Sequence, residues 1–153
     1  MCTRVSTTQA ASAGLIGSLI YFILPRMPLA EDIVGNVHRF TSYGAESVSI
    51  NEAVYRQSLV VTATEIHCPW AVTSLDGLSA EILQPVFATA PAVVLLGTGE
   101  RQLFPDARIF GLFGEKGIGL EVMDNGALCR TFNILVAEDR DVTAAIILAS
   151  PNT

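Results

Sequence analysis

A glycine-rich loop and a polar helix start are the places in this sequence where backbone and side chains could do chemistry. The loop, Gly97-Thr98-Gly99, follows the apolar run 92–96, which is typical of a strand covered on both faces. Glycines at a strand end let backbone amides approach a ligand, and a helix N-terminus attracts anions. The candidate ligand-binding residues are Gly97, Thr98, Gly99, Arg101, Asp124, Arg130 and Asn133.

The glycine-rich loop does not complete either of two nucleotide-binding motifs. Gln102 occupies the third glycine position of the G-x-G-x-x-G pattern, and no G-K-[S/T] sequence follows the loop. Pro105 prevents a helix from starting at once, because proline lacks the amide hydrogen that a helix interior needs. Two interpretations are therefore open, a tight structural turn and a ligand contact.

Asp124 and Asn125 directly precede a predicted helix, and a helix-capping role accounts for both of them. Arg130 lies on that helix, and Asn133, three residues further on, shares a face with it. Arg130 could bind an anion beside the glycine-rich loop. Alternatively it could pair with Asp124 or Glu121, and we expect this structural salt bridge over the anion contact.

No arrangement of nucleophile and base is evident in the sequence. Cys129 stands on an apolar flank between Leu128 and Phe132, and a catalytic thiolate needs an activating base or cation nearby. The two histidines, His38 and His67, have no spacing that brings either of them close. We therefore predict that Cys129 is a packing residue, and we assign no catalytic residue.

Bulk composition narrows the class of protein. The chain has 153 residues, a net charge of −6, and only nine lysines and arginines, which are scattered. One domain with a substantial core is expected, and nucleic-acid binding is not. The three cysteines, Cys2, Cys68 and Cys129, form no C-x-x-C clip, so we expect neither a disulfide framework nor a metal site, and no cofactor. Free thiols suit a reducing compartment.

Apolar runs and turn residues predict the elements that must position these groups. Strands are expected at 46–50, 53–56, 58–64, 92–96, 118–123 and 142–149. Helices are expected from Ser79 to about 91, interrupted at Pro85, at 107–115, and from 126 to about 137 after a cap at Asp124 or Asn125. We predict an α/β fold with a mixed, mainly parallel sheet and helices packed on it. The N-terminal β-hairpin should pack beside or upon that sheet.

Residues 1–26 differ in composition from the rest of the chain. They carry Arg4, a Ser/Thr/Ala-rich patch and an apolar run at 15–24, which is too short to span a bilayer. They can be interpreted as a gene-model extension upstream of Met27, as a transit or membrane-contacting segment, or as a cleaved export signal. We expect 27–153 to form the domain.

Three separated runs resemble the family of small Mth-type domains. They are Leu95-Leu96-Gly97-Thr98-Gly99, then the segment 117–124, then the segment 129–138. The family includes an assembly factor of mitochondrial respiratory complex I. The resemblance implies a three-layer fold and no catalytic residue, since the family offers none. It also implies protein partners, namely a membrane-bound respiratory complex or its assembly factors. We expect a cytoplasmic protein, or a mitochondrial one if residues 1–26 are a transit peptide.

Two functions remain in competition on these grounds. The first is a non-enzymatic interaction protein that assists assembly of respiratory NADH dehydrogenase. The second is a domain that binds a small molecule or anion, or an unrecognised enzyme, using the glycine-rich loop and Arg130. An exposed apolar patch favours the first function. A concave pocket with converging polar groups favours the second.

Overall fold

The computed structural model describes residues 5–6 and 37–150 of the chain. Four short antiparallel strands form a first sheet, in the order β1-β4-β3-β2. Side chains of β3 and β4 alternate between a buried and a half-exposed face, as expected of a sheet covered on one side. The strands are β1 (Val5–Ser6), β2 (Phe40–Tyr43), β3 (Val48–Ile50) and β4 (Ala53–Tyr55).

A five-stranded mixed sheet forms the centre of the domain, in the order β6-β5-β9-β7-β8. The pairings of β7 with β8 and with β9 are parallel, while those of β5 with β6 and with β9 are antiparallel. Every residue of β9 is buried. The strands are β5 (Leu59–Val61), β6 (Ile66–His67), β7 (Val93–Gly97), β8 (Gly119–Met123) and β9 (Val142–Ile146).

Within residues 37–150, three α-helices and one 3-10 turn complete the layers. One core cluster joins the first sheet and the third helix to the central sheet, and a second cluster joins the other helices to its opposite face. The predicted α/β fold, with a mixed central sheet and an N-terminal hairpin packed on it, is therefore confirmed. The helices are α1 (Gln84–Ala88), α2 (Ala107–Glu115) and α3 (Asn125–Ala137), and the 3-10 turn is Leu75–Gly77.

The helix predicted from Ser79 is shorter than expected. The hydroxyl of Ser79 accepts a hydrogen bond from the Ile82 amide at 3.2 Å, but only a turn follows before α1 begins at Gln84. Pro85 lies in the first turn of α1, where the missing amide hydrogen costs nothing. The prediction that the helix restarts at this proline is confirmed. The prediction of a helix before Pro85 is wrong, because residues 80–83 form only a turn.

Two short strands differ from the expectation, and α2 buries only one face. The short strands β2 and β6 were not predicted, because neither carries an apolar alternation long enough to stand out. In α2, Ile109 and Phe113 are buried but Phe110 is exposed. Adjacent helix positions point about 100° apart, so Phe110 leaves the buried face. Gly117, which follows the C-cap residue of α2, has φ +67.

Most of the N-terminal segment discussed above lies outside the described residues. Val5 and Ser6 pair with Val54 and Ala53 at the edge of the first sheet. We propose that 27–153 carries the domain. A chain starting at Met27 should then melt within about 5 °C of the full chain, a difference worth about 1 kcal/mol. A larger drop would place part of the core upstream of Met27.

Candidate functional site

The carboxyl ends of three parallel strands meet at one edge of the central sheet, and Asn125 ties them together. Its Oδ1 accepts a hydrogen bond from the Gly99 amide at 3.1 Å, and its Nδ2 donates to the Ile147 carbonyl at 3.0 Å. Its own amide donates to the Gly99 carbonyl at 2.8 Å. Asn125 is only 4% exposed. The first residue of α3 therefore fixes the ends of β7 and β9 to the end of β8.

Gly97 makes this arrangement possible because its Cα lies directly under the Asn125 side chain. A Cβ at position 97 would overlap Asn125 Oδ1 and would lie 3.0 Å from Leu128 Cδ1. Both of those residues are buried. The first glycine of the loop is therefore required by close packing inside the protein.

Thr98 folds the glycine-rich loop back on itself. Its hydroxyl donates to the Arg101 carbonyl and accepts from the Leu103 amide at 3.0 Å. Its amide donates to the Met123 carbonyl at 3.0 Å, while the Gly99 amide is held by Asn125. Both amides thus have partners within the protein, so the geometry of the loop is that of a closed turn.

The outer side of the loop forms one wall of a groove of about 1000 Å³. The groove runs between residues 73–80, residues 98–106 and the first turns of α2. Of the sequence-predicted site residues, it brings together Thr98, Gly99 and Arg101. Gly97 lies behind the wall, and Asp124, Arg130 and Asn133 do not line the groove.

Asp124 is the N-cap of α3, as predicted, and its carboxylate accepts a hydrogen bond from the Ala127 amide at 2.8 Å.

In the described part of the chain, Arg130 contacts Tyr43 and does not form the salt bridge that was expected of it. Its Nη1 donates to the Tyr43 hydroxyl at 2.7 Å, and its guanidinium lies 5.8 Å from the centre of the Tyr43 ring. Within residues 37–150 it forms no ion pair with Asp124 or Glu121, so the expected salt bridge is wrong. Tyr43 reaches Arg130 from the first sheet, 87 positions away in sequence.

Asn133 joins the first sheet to α3. Its Oδ1 accepts from the Phe40 amide at 2.9 Å, and its Nδ2 donates to the Phe40 carbonyl at 2.8 Å. The Phe40 and Phe132 rings meet edge to face beside this pair, with centroids 5.2 Å apart. Both polar atoms of the Asn133 amide therefore serve to attach β2.

Cys129 lies in the core beneath α3 and is 2% exposed. Burial raises the pKa of its thiol to about 12, and the Arg130 charge opposes this shift only in part. A thiol with so high a pKa is almost wholly protonated at neutral pH and is a poor nucleophile. These properties fit the predicted packing role.

The wild-type protein should lose stability at alkaline pH because of the Cys129 thiol, and Cys129→Ala should abolish this part of the loss. The folded thiol keeps its proton up to about pH 12, whereas the unfolded thiol loses it near the ordinary value of 9.0. The stabilisation is therefore complete below pH 9 and declines above it, by about 1 kcal/mol by pH 10. Urea denaturation at pH 8 and pH 10 should show this decline in the wild type and a smaller one in the variant. Parallel declines, or fast labelling of the native thiol, would contradict it.

The state of Cys68 differs from the expectation that the cysteines are free thiols. Cys68 is disulfide-bonded, so the expectation that all the thiols are free is wrong at this position. Among the described residues, no group of three or more His, Cys, Asp and Glu side chains is arranged to hold a metal ion. In the same part of the chain, no helix combines the length and apolarity needed to cross a membrane.

Leu103 and Phe104 are the surface feature that sequence reasoning missed. They are 53% and 69% exposed, and they lie on the rim of the groove. The loop that carries them is fastened by Thr98, and by Gln102, whose Nε2 donates to the Val122 carbonyl at 2.9 Å. An apolar pair placed directly before a proline, outside any predicted helix or strand, is the sequence signal that indicates them.

Solved proteins similar to this chain share its fold. An NMR structure from Xanthomonas campestris is 38% identical, covers 72% of this chain and 84% of its own, and has a TM-score of 0.68. A Bordetella pertussis structure described as a Mth938-like domain is 26% identical, covers 75% of this chain and 89% of its own, and has a TM-score of 0.61. These similarities confirm the Mth-type fold expected from the sequence runs.

The chain belongs to the family described as protein of unknown function (DUF498/DUF598), whose model matches residues 40–147. A "13 kDa major membrane protein" of Francisella tularensis is 29% identical over 122 residues, which are 79% of this chain and 99% of that protein. An NADH dehydrogenase assembly factor 3 from Xenopus tropicalis is 36% identical over 80 residues, or 51% of this chain. The matched region spans 44% of that assembly factor's length.

Proposed function

We propose that this protein is a non-enzymatic interaction protein that assists assembly of a membrane-bound respiratory NADH dehydrogenase. The partners would be subunits of that complex or its other assembly factors. Similarity to assembly factors from Xenopus tropicalis, Danio rerio and Bos taurus, at 36%, 36% and 31% identity over 80 residues, supports the proposal. It concerns the shared domain, because less than half of each assembly factor is matched.

The observation that carries this proposal is the fastened, exposed pair Leu103 and Phe104. Large apolar side chains in a loop normally turn inward, since each gains roughly 1.5–3 kcal/mol on burial. Here the Leu103 amide donates to the Thr98 hydroxyl, and Gln102 Nε2 donates to a backbone carbonyl of β8. These bonds hold the loop with both apolar side chains in solvent. A preorganised aromatic side chain on a surface is the usual anchor of a protein interface.

The proposal is tested by genetic rescue in a cell that carries both this protein and a respiratory NADH dehydrogenase. After deletion of the gene, assembled NADH dehydrogenase in the membranes should fall, and the wild-type gene should restore it. A Leu103→Ser/Phe104→Ser variant should fail to do so, because loss of a buried anchor weakens binding by about 30-fold, or 2 kcal/mol. Ile134→Ser, which alters a residue on α3 that is 58% exposed, is the matched control and should restore assembly.

Either of two results would refute the assembly function. Deletion would leave the amount of assembled complex unchanged, or the Leu103→Ser/Phe104→Ser variant would restore it as well as the wild type. Circular dichroism melting of the purified variant excludes misfolding as the reason for a failed rescue. The same cells, fractionated, test the cytoplasmic location that we propose with this function.

A second candidate function is binding of a small anion, and the convergence of Thr98, Gly99 and Arg101 on the groove favours it. The candidate set also contains Arg130, whose guanidinium lies against Tyr43. A panel of anionic metabolites should then raise the melting temperature of the wild type, and Arg101→Ala should abolish the rise. A metabolite at a hundred times its Kd adds about 2.7 kcal/mol. Equal responses in Arg101→Ala and Arg130→Ala, or none in the wild type, would exclude this site.

A further inference from the structure

The groove beside Thr98 has the surface of a binding site for an apolar chain segment. Leu75, Leu78 and Leu112 line it half-buried, and Ile109 lines it fully buried. Leu103 and Phe104 stand at its rim in solvent. Its volume of about 1000 Å³ lies at the upper end of small-molecule sites, which run to roughly 1,000 Å³.

The charged side chains around the groove carry a small excess of negative charge. Asp106 and Arg108 form an ion pair and neutralise each other. The Asp106 carboxylate accepts hydrogen bonds from the Arg108 amide at 2.9 Å and from Arg108 Nε at 3.1 Å. These bonds hold the pKa of Asp106 below its usual range. The groove is also lined by Asp76, Glu100 and Arg101, which form no ion pair within the described part of the chain. An excess of one negative charge therefore faces the occupant.

We propose that this groove binds a segment of a partner protein that presents apolar side chains next to a lysine or arginine. This proposal rests on the interaction function proposed above and specifies the chemistry of the partner. The apolar lining and the Phe104 rim bury the apolar side chains, while Asp76 and Glu100 attract the basic one. A second copy of this chain fits poorly, because it brings another net charge of −6 to the same surface. A small ligand would find the amides of Thr98 and Gly99 already bonded within the protein.

Photocrosslinking of the full chain in its native cells tests this proposal. A benzoylphenylalanine replaces Phe104 in one strain and Ile134 in the other, and both positions are exposed enough to leave the fold intact. Irradiation should produce a protein adduct from position 104 and at least tenfold less from position 134. Mass spectrometry of the adduct should place the crosslink in an apolar segment that contains a lysine or arginine. An adduct with a second copy of this chain, an adduct with lipid, or no adduct would overturn the proposal.

Charge reversal then tests the electrostatic part. In the strain with the photoreactive residue at 104, Asp76→Lys with Glu100→Lys should lower the adduct yield about fivefold, as loss of surface ion pairs worth about 1 kcal/mol predicts. Changing the basic residue of the captured segment to glutamate should restore the yield. An unchanged yield in the reversed protein, or no restoration, would refute the charge match.

The two proposals fail separately. Suppose that the captured segment is apolar and contains a lysine or arginine but belongs to a protein unrelated to NADH dehydrogenase. This result refutes the assembly function and supports the proposed specificity of the groove. Rescue that depends on Leu103 and Phe104 without any adduct from position 104 leaves the assembly function standing and refutes the groove as the docking site.

Discussion

Gly97→Ala is expected to lower the free energy of unfolding by about 3 kcal/mol, which would leave little stability in a typical domain of this size. The added Cβ would overlap Asn125 Oδ1 and press on Leu128. Asn125 cannot move aside cheaply, because the Gly99 amide and the Ile147 carbonyl hold both ends of its amide group. Denaturation in urea, followed by circular dichroism, measures the change.

Gly111→Ala is the matched control for this substitution. A Cβ at position 111 meets nothing within 4 Å, and the residue lies on the exposed side of α2. Alanine has the higher helix propensity, so this variant should gain up to about 1 kcal/mol. If Gly97→Ala were as stable as Gly111→Ala, the close approach between Gly97 and Asn125 would be wrong.

Asn125→Ala is the second large effect, with an expected loss of about 2–4 kcal/mol. The substitution leaves the buried Ile147 carbonyl and the half-buried Gly99 amide without their partner, and a buried group without a partner costs about 1–3 kcal/mol. The loss should be accompanied by faster hydrogen exchange at Gly99 and Leu103, because the loop would lose its attachment to α3. Unchanged stability and exchange would show that the tie between the strand ends is unimportant.

The two substitutions should also be coupled. In the Asn125→Ala background the overlapping oxygen is gone, so adding Gly97→Ala should cost at least about 1 kcal/mol less than it does in the wild type. Strict additivity in this double-mutant cycle would mean that the cost of Gly97→Ala comes from Leu128 alone. The cycle therefore separates the amide contact from general crowding.

Much of the fold could be predicted because its signals are local. The apolar run at 92–96 predicts β7 to within one residue at each end, the bounds of α2 match the prediction, and α3 begins one residue before its predicted start. Their boundaries depend on neighbouring residues, such as Asp124 at the helix start and Gly117 at positive φ after α2. The missed strands β2 and β6 are short and depend on partners elsewhere in the chain.

The candidate site was harder to predict, because the same residue types serve structure and ligand binding equally well. Asp124 and Asn125 were expected as caps, and Asp124 is one. The role of Asn125 depends on Ile147, which is 22 positions away, and that of Asn133 on Phe40, 93 positions away. No spacing rule links such distant residues. The exposed pair Leu103 and Phe104 was overlooked because apolar residues are normally assigned to the core.

The sequence by itself determined the family, the order of the longer strands and helices, and the bounds of β7, α2 and α3 to within one residue. These properties follow from apolar periodicity, capping residues and glycine conformations, which act over a few neighbouring positions. Only the tertiary structure decided that β9 lies between β5 and β7, that Arg130 meets Tyr43, and that Phe104 faces solvent beside a groove. These outcomes depend on the packing of segments far apart in the chain, because a side chain's surroundings are set by whichever elements fold against it.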